Sequence, residues 1–322
     1  MTKDEVLKLL WENPGQYLSG AELARRLSLS RTAVWKAVEQ LRREGYAIES
    51  VTRRGYRLRA GGDVLSAEGI ARFLRHRELR LKVCPTIDST NTALKAMAAE
   101  GAEAGLALVA AQQTAGRGRM GRSFYSPAGS GLYLSLLLRP ELPAAEAVRL
   151  TACAAVAAAE SIEELSGAET AIKWVNDIQI DGKKVCGILT EAGLDCESGR
   201  MHYVVVGIGV NLRAPEGGFP PALRDIAGAA FEGREIPALR CRLAAGILDR
   251  LLDYSARPDD PAVFEAYRSR SLVPGKKIDI LTPGAAPVPA EALAIGEDYS
   301  LLVRLEDGTL RRLSSGEVSV RV

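Results

Sequence analysis

Seven residues, Gly116–Arg117–Gly118–Arg119–Met120–Gly121–Arg122, set the first constraint on this fold. They follow an apolar run from Leu106 to Ala111. Gly116, Gly118 and Gly121 have the G-x-G-x-x-G spacing of a dinucleotide-binding turn, which requires a helix directly after the glycines. Here the next residues are Ser123–Phe124–Tyr125–Ser126–Pro127–Ala128–Gly129–Ser130–Gly131, which break a helix, and a strand-like run from Leu132 to Leu138 follows. This argues against a dinucleotide fold, and no G-x-x-x-x-G-K-[ST] run marks a P-loop. What remains is a glycine-arginine loop between two strands. Glycine lets backbone come close to a ligand, and arginine carries a rigid fork of donors for phosphate or carboxylate. The loop is read as the holder of a polyanion. The alternative is a solvated basic hairpin with no ligand.

A second feature lies at the N-terminus. Val6, Leu7, Leu10 and Trp11 make one helical stripe, and Leu23, Ala24 and Leu27 make another after Ser19–Gly20. Ser28–Leu29–Ser30 is a short turn whose last residue suits an N-cap. Arg31 to Glu44 forms the next helix, with Val34, Val38 and Leu41 facing inward and Gly45 ending it. Tyr46 to Leu58 alternates like two strands around Arg53–Arg54–Gly55. This order is that of a winged helix-turn-helix. Residues 1–60 hold twelve Lys or Arg against seven Asp or Glu, a net +5, whereas the whole chain carries +2. A basic head on a mildly acidic body points to nucleic acid. Arg31, Thr32 and Lys36 open the recognition helix. Arg53, Arg54 and Arg57 lie in the wing, where phosphate is the expected contact. Trp35 fits either that exposed face or the core.

Ala60–Gly61–Gly62–Asp63 reads as a linker, and Leu65 to Leu74 as a helix. Asp88–Ser89–Thr90–Asn91 supplies caps for a helix over 90–99, and 144–165 is a long alanine-rich helix. Runs at 106–111, 132–138, 170–175, 177–181, 185–191 and 202–210 predict a mixed, largely antiparallel sheet. Further helices are expected over 237–255 and 261–270. From Gly275 the texture changes to short alternating runs with an Asp307–Gly308 turn, which fits a small barrel. The expected domains are 1–60, 65–271 and 272–322.

The length of 322 residues is ample for more than one core. The polar start Met1–Thr2–Lys3–Asp4–Glu5 and the lack of a long uncharged apolar run predict no leader and no membrane span. Cys84, Cys153, Cys186, Cys196 and Cys241 are scattered and form no C-x-x-C pair. They are read as free thiols in the cytoplasm. His76 and His202 have no cysteine at ligand spacing, so no structural zinc is expected.

Four motifs follow the N-terminal head. They are Asp88–Ser89–Thr90–Asn91, Gln112–Gln113–Thr114–Ala115 leading into the glycine-arginine loop, Lys173–Trp174–Val175–Asn176–Asp177, and Gly182–Lys183–Lys184–Val185–Cys186–Gly187–Ile188–Leu189. A fifth is Gly207–Ile208–Gly209–Val210–Asn211. In order and spacing the chain resembles the biotin–protein ligases, and with its head the bifunctional ligase–repressors of the BirA type. The resemblance extends to Ser315–Gly316–Glu317–Val318–Ser319. It implies an α/β (α+β) class II synthetase-like catalytic domain with a mixed sheet and a C-terminal SH3-like barrel. It also implies biotin, ATP and Mg²⁺, a biotin carboxyl carrier domain, operator DNA, and a homodimer when adenylate-bound. On that resemblance Ser89, Thr90, Asn91, Gln113, Arg117, Gly118, Arg119, Arg122, Phe124, Lys184, Gly187, Ile188 and Asn211 line the biotin and adenylate site. Arg119, Lys184, Asp177 and Lys173 carry the chemistry, with Asp177 toward the metal.

The residue chemistry agrees with this. A carboxylate attacking the α-phosphate of ATP is already ionised, so the demand is for positive charge around the transition state. Arg117, Arg119, Arg122, Lys173 and Lys184 can supply it. Ser89, Thr90 and Gln113 can pair with a ureido ring, which offers two N–H donors and one carbonyl. Other readings stay open. Lys173 and Asp177 could be only a structural ion pair, Asn211 a strand-end cap, Trp174 core, Lys183 solvated and Cys186 inert. Two positions depart from the family pattern. Val175 stands where proline is usual, which would leave Asn176 and Asp177 less rigidly placed, and Phe124 stands where tryptophan is usual. Lipoate ligation, a sensing repressor without catalysis, and a ligase with a non-regulatory head are the rival functions.

Overall fold

The structure is a computed structural model that describes all residues except Met1, Pro14, 60–62, 195–200, 283–284, Ser315 and 321–322. The linker expected at Ala60–Gly62, Cys196 and Ser315 of the terminal motif lie outside the described residues. The chain divides into two compact units, Met1–Phe73 with Glu235–Ala245, and Leu74–Arg234 with Gly246–Val322.

The first unit holds α1 (Thr2–Glu12), α2 (Gly20–Leu27), α3 (Arg31–Arg43), β1 (Ile48–Val51), β2 (Gly55–Leu58) and α4 (Ala67–Ala71). Ser30 caps α3 as expected, its Oγ accepting from Ala33 N, and Ser19 Oγ likewise accepts from Glu22 N at the start of α2. Each satisfies one orphan donor at a helix start. Ser28 turns left-handed at φ 54°, and Leu29 N donates back to Ala24 O, which closes the turn between α2 and α3. Val6, Leu7, Leu10, Leu23, Val34, Val38 and Leu41 meet in one core. β1 and β2 pair antiparallel as the wing. The helix expected over 65–74 is only the single turn and a half of α4, capped by Ser66.

The second unit begins with β3 (Arg80–Cys84), a strand not among the expected runs. It continues through α5 (Thr90–Ala99), β4 (Leu106–Ala110), β5 (Gly131–Leu138), α6 (Ala147–Ser166), β6 (Ala171–Lys173), β7 (Asp177–Ile180), β8 (Lys183–Leu194) and β9 (Met201–Asn211). Then come α7 (Leu239–Ser255), whose stretch up to Ala245 falls in the first unit, α8 (Pro261–Arg270), β10 (Lys277–Leu281), β11 (Val288–Ile295), β12 (Leu301–Leu305), β13 (Leu310–Leu313) and β14 (Glu317–Val320). Seven strands form one sheet in the order β3-β4-β5-β9-β8-β7-β6, antiparallel except for the β3–β4 pair. The last five make an antiparallel sheet in the order β13-β12-β11-β10-β14, the sheet of the expected SH3-like domain.

Register decides which residues share a face, because opposed residues point the same way. Leu137, Val205 and Glu191 are opposed across β5, β9 and β8, and so are Leu136, Val206 and Thr190. Leu137 and Val205 pack with Leu94 and Ala98 of α5. Thr190 bonds Thr151 of α6. Thus α5 and α6 cover opposite faces. Cys153 to Ala159 of α6 are all buried. Small side chains all round let this helix sit fully in the interior.

Candidate active site

The glycine-arginine segment is a two-armed ribbon with a tight tip. Gln113 N donates to Ser126 O, Phe124 N to Gly116 O, and Gly118 N to Arg122 O. Met120 (φ 53°) and Gly121 (φ 73°) make the tip. The three glycines have different reasons. A Cβ on Gly116 would meet Phe124 O at 2.4 Å, and Gly121 has a left-handed φ. Gly118 is extended at φ −118° and would tolerate a Cβ.

The ribbon overhangs the sheet face covered by α5. On that face Tyr133, Gly209 and Gly187 form one row, and Ser135, Gly207 and Leu189 the next. Glycine at 187, 207 and 209 leaves the sheet bare there. The Phe124 ring fills part of the space, since a Cβ on Gly209 would meet it at 2.5 Å. A cavity results, walled by Ser89, Thr90, Asn91, Gln113, Arg117 and Lys184 among others. A second cavity adjoins it, sharing Gly118, Arg119, Phe124, Asn176 and Lys184 and adding Arg122, Lys173, Asp177 and Val318.

A hydrogen-bonded chain fixes the first cavity's wall. Ser89 caps α5 by accepting from Thr92 N. Gln113 Oε1 accepts from Thr90 N at 2.8 Å and from Thr90 Oγ1 at 3.1 Å. Ser135 Oγ lies 2.7 Å from Thr90 Oγ1 and 2.6 Å from Asn91 Oδ1. Gln113 Nε2 donates to Ser126 Oγ. Thr90, Asn91, Ser126 and Ser135 are all buried, so these bonds are shielded from water and fix each rotamer.

At the second cavity Lys184 Nζ is 2.6 Å from Asp177 Oδ1. That oxygen is buried without an aligned hydrogen bond, so the contact is ionic. Lys173 lies opposite Asp177 in register, but the close partner of Asp177 is Lys184. Arg119 donates to Asn176 Oδ1 at 2.8 Å and to Gly316 O at 2.7 Å. The Trp174–Val175 peptide bond is cis. In place of the rigidity of proline, Val175 O accepts from Tyr267 Oη, Asn176 Nδ2 donates to Ile188 O, and Asn176 O accepts from Ile188 N. Trp174 is core, its indole donating to Tyr299 O.

Most of the residues named from the sequence therefore meet around these two cavities. Asn211 does not line either. Its amide donates to Lys184 O and Gly228 O, which ties a strand end. Cys186 is fully buried, and desolvation drives its thiol far above the ordinary range. Residues outside the sequence-based set are Asn176, Gly207, Gly209 and Glu191. The glycines had a signal, since Gly-x-Gly in a strand bares one face. Glu191 had none, because its partners come from other elements.

In the helix-turn-helix unit Arg31, Thr32, Trp35 and Lys36 are exposed on one side of α3, Trp35 by 53%. Trp35 is thus not core. Arg53 sits at the wing tip with φ 67°. Arg54 and Arg57 both stack on the Tyr17 ring, 4.4 and 4.6 Å from its centroid, and Arg57 also pairs with Glu49.

The fold and the site define a protein-ligase domain preceded by a helix-turn-helix. Residues 83–211 match the biotin/lipoate A/B protein ligase family, and residues 2–57 match an HTH domain. The chain is 41% identical over 314 residues to the bifunctional ligase/repressor BirA of Bacillus subtilis, covering 95% of this chain and 88% of that protein. It is 33% identical to the biotin–[acetyl-CoA-carboxylase] ligase of Mycobacterium tuberculosis, over 74% of this chain and 88% of that one. Among solved structures, biotin protein ligase from Aquifex aeolicus in complex with biotin and ATP matches at 28% identity and TM-score 0.62. That match covers 75% of this chain and 98% of the other. The chain belongs to the BirA family of bifunctional ligase/repressors.

Proposed function

We propose that the protein joins biotin to ATP as biotinyl-5′-AMP and passes the biotinyl group to a lysine of a biotin carboxyl carrier domain. The observation that carries this is the bare glycine floor with a buried polar wall at one end and Arg119, Lys184 and Arg122 at the other. The first cavity suits an uncharged ring with a short apolar tail, and the second suits phosphates.

In the first step a biotin carboxylate oxygen bonds to the α-phosphorus, and the bond to pyrophosphate breaks. No proton moves, so no general base is needed. Arg117, Arg119, Arg122, Lys173 and Lys184 stabilise the crowded negative charge, and Arg117, Arg119 and Lys184 are already held by partners before reaction. Ser89, Thr90, Asn91 and Gln113 orient the ureido ring, and Gly187 and Ile188 flank the tail. In the second step a lysine amine attacks the acyl carbon, AMP leaves, and the amine loses one proton. Among the described residues no three His, Cys, Asp or Glu side chains gather as a metal cage. Asp177, whose Oδ1 is ion-paired with Lys184, borders the second cavity, and its carboxylate would give one ligand to a Mg²⁺ that keeps mostly water and phosphate ligands. When bound, that ion would screen the phosphates. Incubation with biotin, Mg-ATP and a carrier domain yields streptavidin-reactive carrier on this reading. An unlabelled carrier overturns it.

The ribbon has a second task, retention of the reactive adenylate. Arg119 pins the ribbon tip through Asn176 and Gly316. Arg119→Gly is expected to release biotinyl-5′-AMP, which then labels a bystander protein such as serum albumin. Label confined to the carrier contradicts a retaining role.

The N-terminal unit is the DNA reader of a biotin-responsive repressor that dimerises when adenylate-bound. The second basic head doubles the phosphate contacts, and occupancy reports unused biotin. The reduced cytoplasm suits the free cysteines, and no helix among the described residues is long and apolar enough to cross a membrane. An operator footprint that ignores biotinyl-5′-AMP contradicts regulation. Arg31, Thr32 and Lys36 face base edges, and Arg53 and Arg54 face phosphate. Trp35 belongs with the readers. Trp35→Ala should weaken operator binding about tenfold, roughly 1.4 kcal/mol. Stability should stay within about 0.5 kcal/mol, because the ring is exposed. Titration of labelled operator beside a urea melt checks both.

A further inference from the structure

We propose that Glu191 is a positioning residue that holds Arg117 across the mouth of the biotin cavity and so slows escape of the adenylate. The proposal rests on the ligase reading above.

Glu191 lies on β8, two residues past Leu189, on the same sheet face as the glycine floor. Its side chain is only 15% exposed. One oxygen, Oε1, lies 2.7 Å from Lys95 Nζ and 3.3 Å from Arg117 Nη1. The other accepts from Asn91 Nδ2 at 3.1 Å. Burial pushes this carboxyl up, but hydrogen bonds from Lys95 and Asn91 and the charges of Lys95 and Arg117 outweigh it. The group is held below its usual value and stays ionised.

Two routes therefore run from Glu191 to the ribbon. One is direct, through Arg117. The other passes from Asn91 through Ser135, Thr90 and Gln113 to Ser126, whose Oγ donates to Phe124 O. The first route sets the arm that carries Arg117, and the second sets the arm that carries Phe124. Arg117 is still 46% exposed. Its guanidinium has five N–H donors, so the ion pair leaves others for the anion in the cavity. The nearby Lys95 ammonium offsets the carboxylate, which limits its repulsion of a phosphate.

The test uses the full chain. Labelled biotinyl-5′-AMP is formed from biotin and Mg-ATP, excess ATP is removed, and release is timed after adding unlabelled adenylate. Glu191→Gln keeps the shape but loses the charge that holds Arg117, and release is expected to speed at least fivefold. Lys95→Met strips a partner from the same carboxylate without touching the ribbon, and release should stay within twofold of wild type. Release from Glu191→Gln at or below the wild-type rate overturns the proposal; slower release would mean that the carboxylate competes with the phosphate. Equal acceleration by Lys95→Met also overturns it, because the cluster would then be merely structural. Wild-type protein that forms no adenylate fails the ligase reading itself, a separate result.

Discussion

Lys184→Met should slow formation of biotinyl-5′-AMP by about 10²–10³-fold, the usual cost of one preorganised charge-stabilising group. Lys184 borders both cavities. Its ammonium is held by Asp177 at 2.6 Å and lies 5.9 Å from the centre of the Phe124 ring. It is aimed before any phosphate arrives, so the reaction need not spend energy orienting it. Methionine keeps the length and removes the charge. The binding of biotin alone should change little, because the charge matters most where phosphate charge develops. Pyrophosphate exchange gives the rate, and a biotin titration gives the affinity. A rate within fivefold of wild type would remove Lys184 from the chemistry.

Gly207→Ala is the second large effect, and it acts through shape. A Cβ at 207 would lie 2.0 Å from Asn91 Oδ1. Asn91 has little room to give way, being 4% exposed and bonded to Ser135, Leu189 O and Glu191. Overpacking of this kind costs about 1–3 kcal/mol. Displacing Asn91 should also loosen the chain through Thr90 to Gln113, so biotin affinity should fall at least tenfold. Calorimetric titration with biotin and a chemical melt read the two effects. Wild-type affinity would mean that the floor and wall can part without harm.

Local signals were strong wherever a residue answers to its own neighbours in sequence. The cap at Ser30, the inward stripe of α3 and the wing turn are such cases. So is the failure of a helix after Gly121, which argued against a dinucleotide turn. β3 was missed although Leu79, Leu81 and Val83 alternate with Arg80 and Lys82, because the run is short and its pairing partner, β4, lies more than twenty residues on. The helix over 65–74 was overextended because apolar spacing continues past the point where α4 stops. Trp35 could not be oriented from spacing, since an aromatic at a helix start suits both core and surface. Its exposure depends on what the rest of the unit leaves uncovered.

The sequence by itself determined the head, the ribbon, the cation-bearing motifs and the kinship they imply, because each resides in short-range pattern and residue chemistry. Only the tertiary structure decided that Gly187, Gly207 and Gly209 share one bare face, that Asp177 pairs with Lys184, that Asn211 ties a strand end, and that Glu191 grips Arg117. Those facts follow from sheet register and from helices crossing it. Register brings together residues far apart in the chain, and one residue of slip would turn every side chain of a strand to the other face.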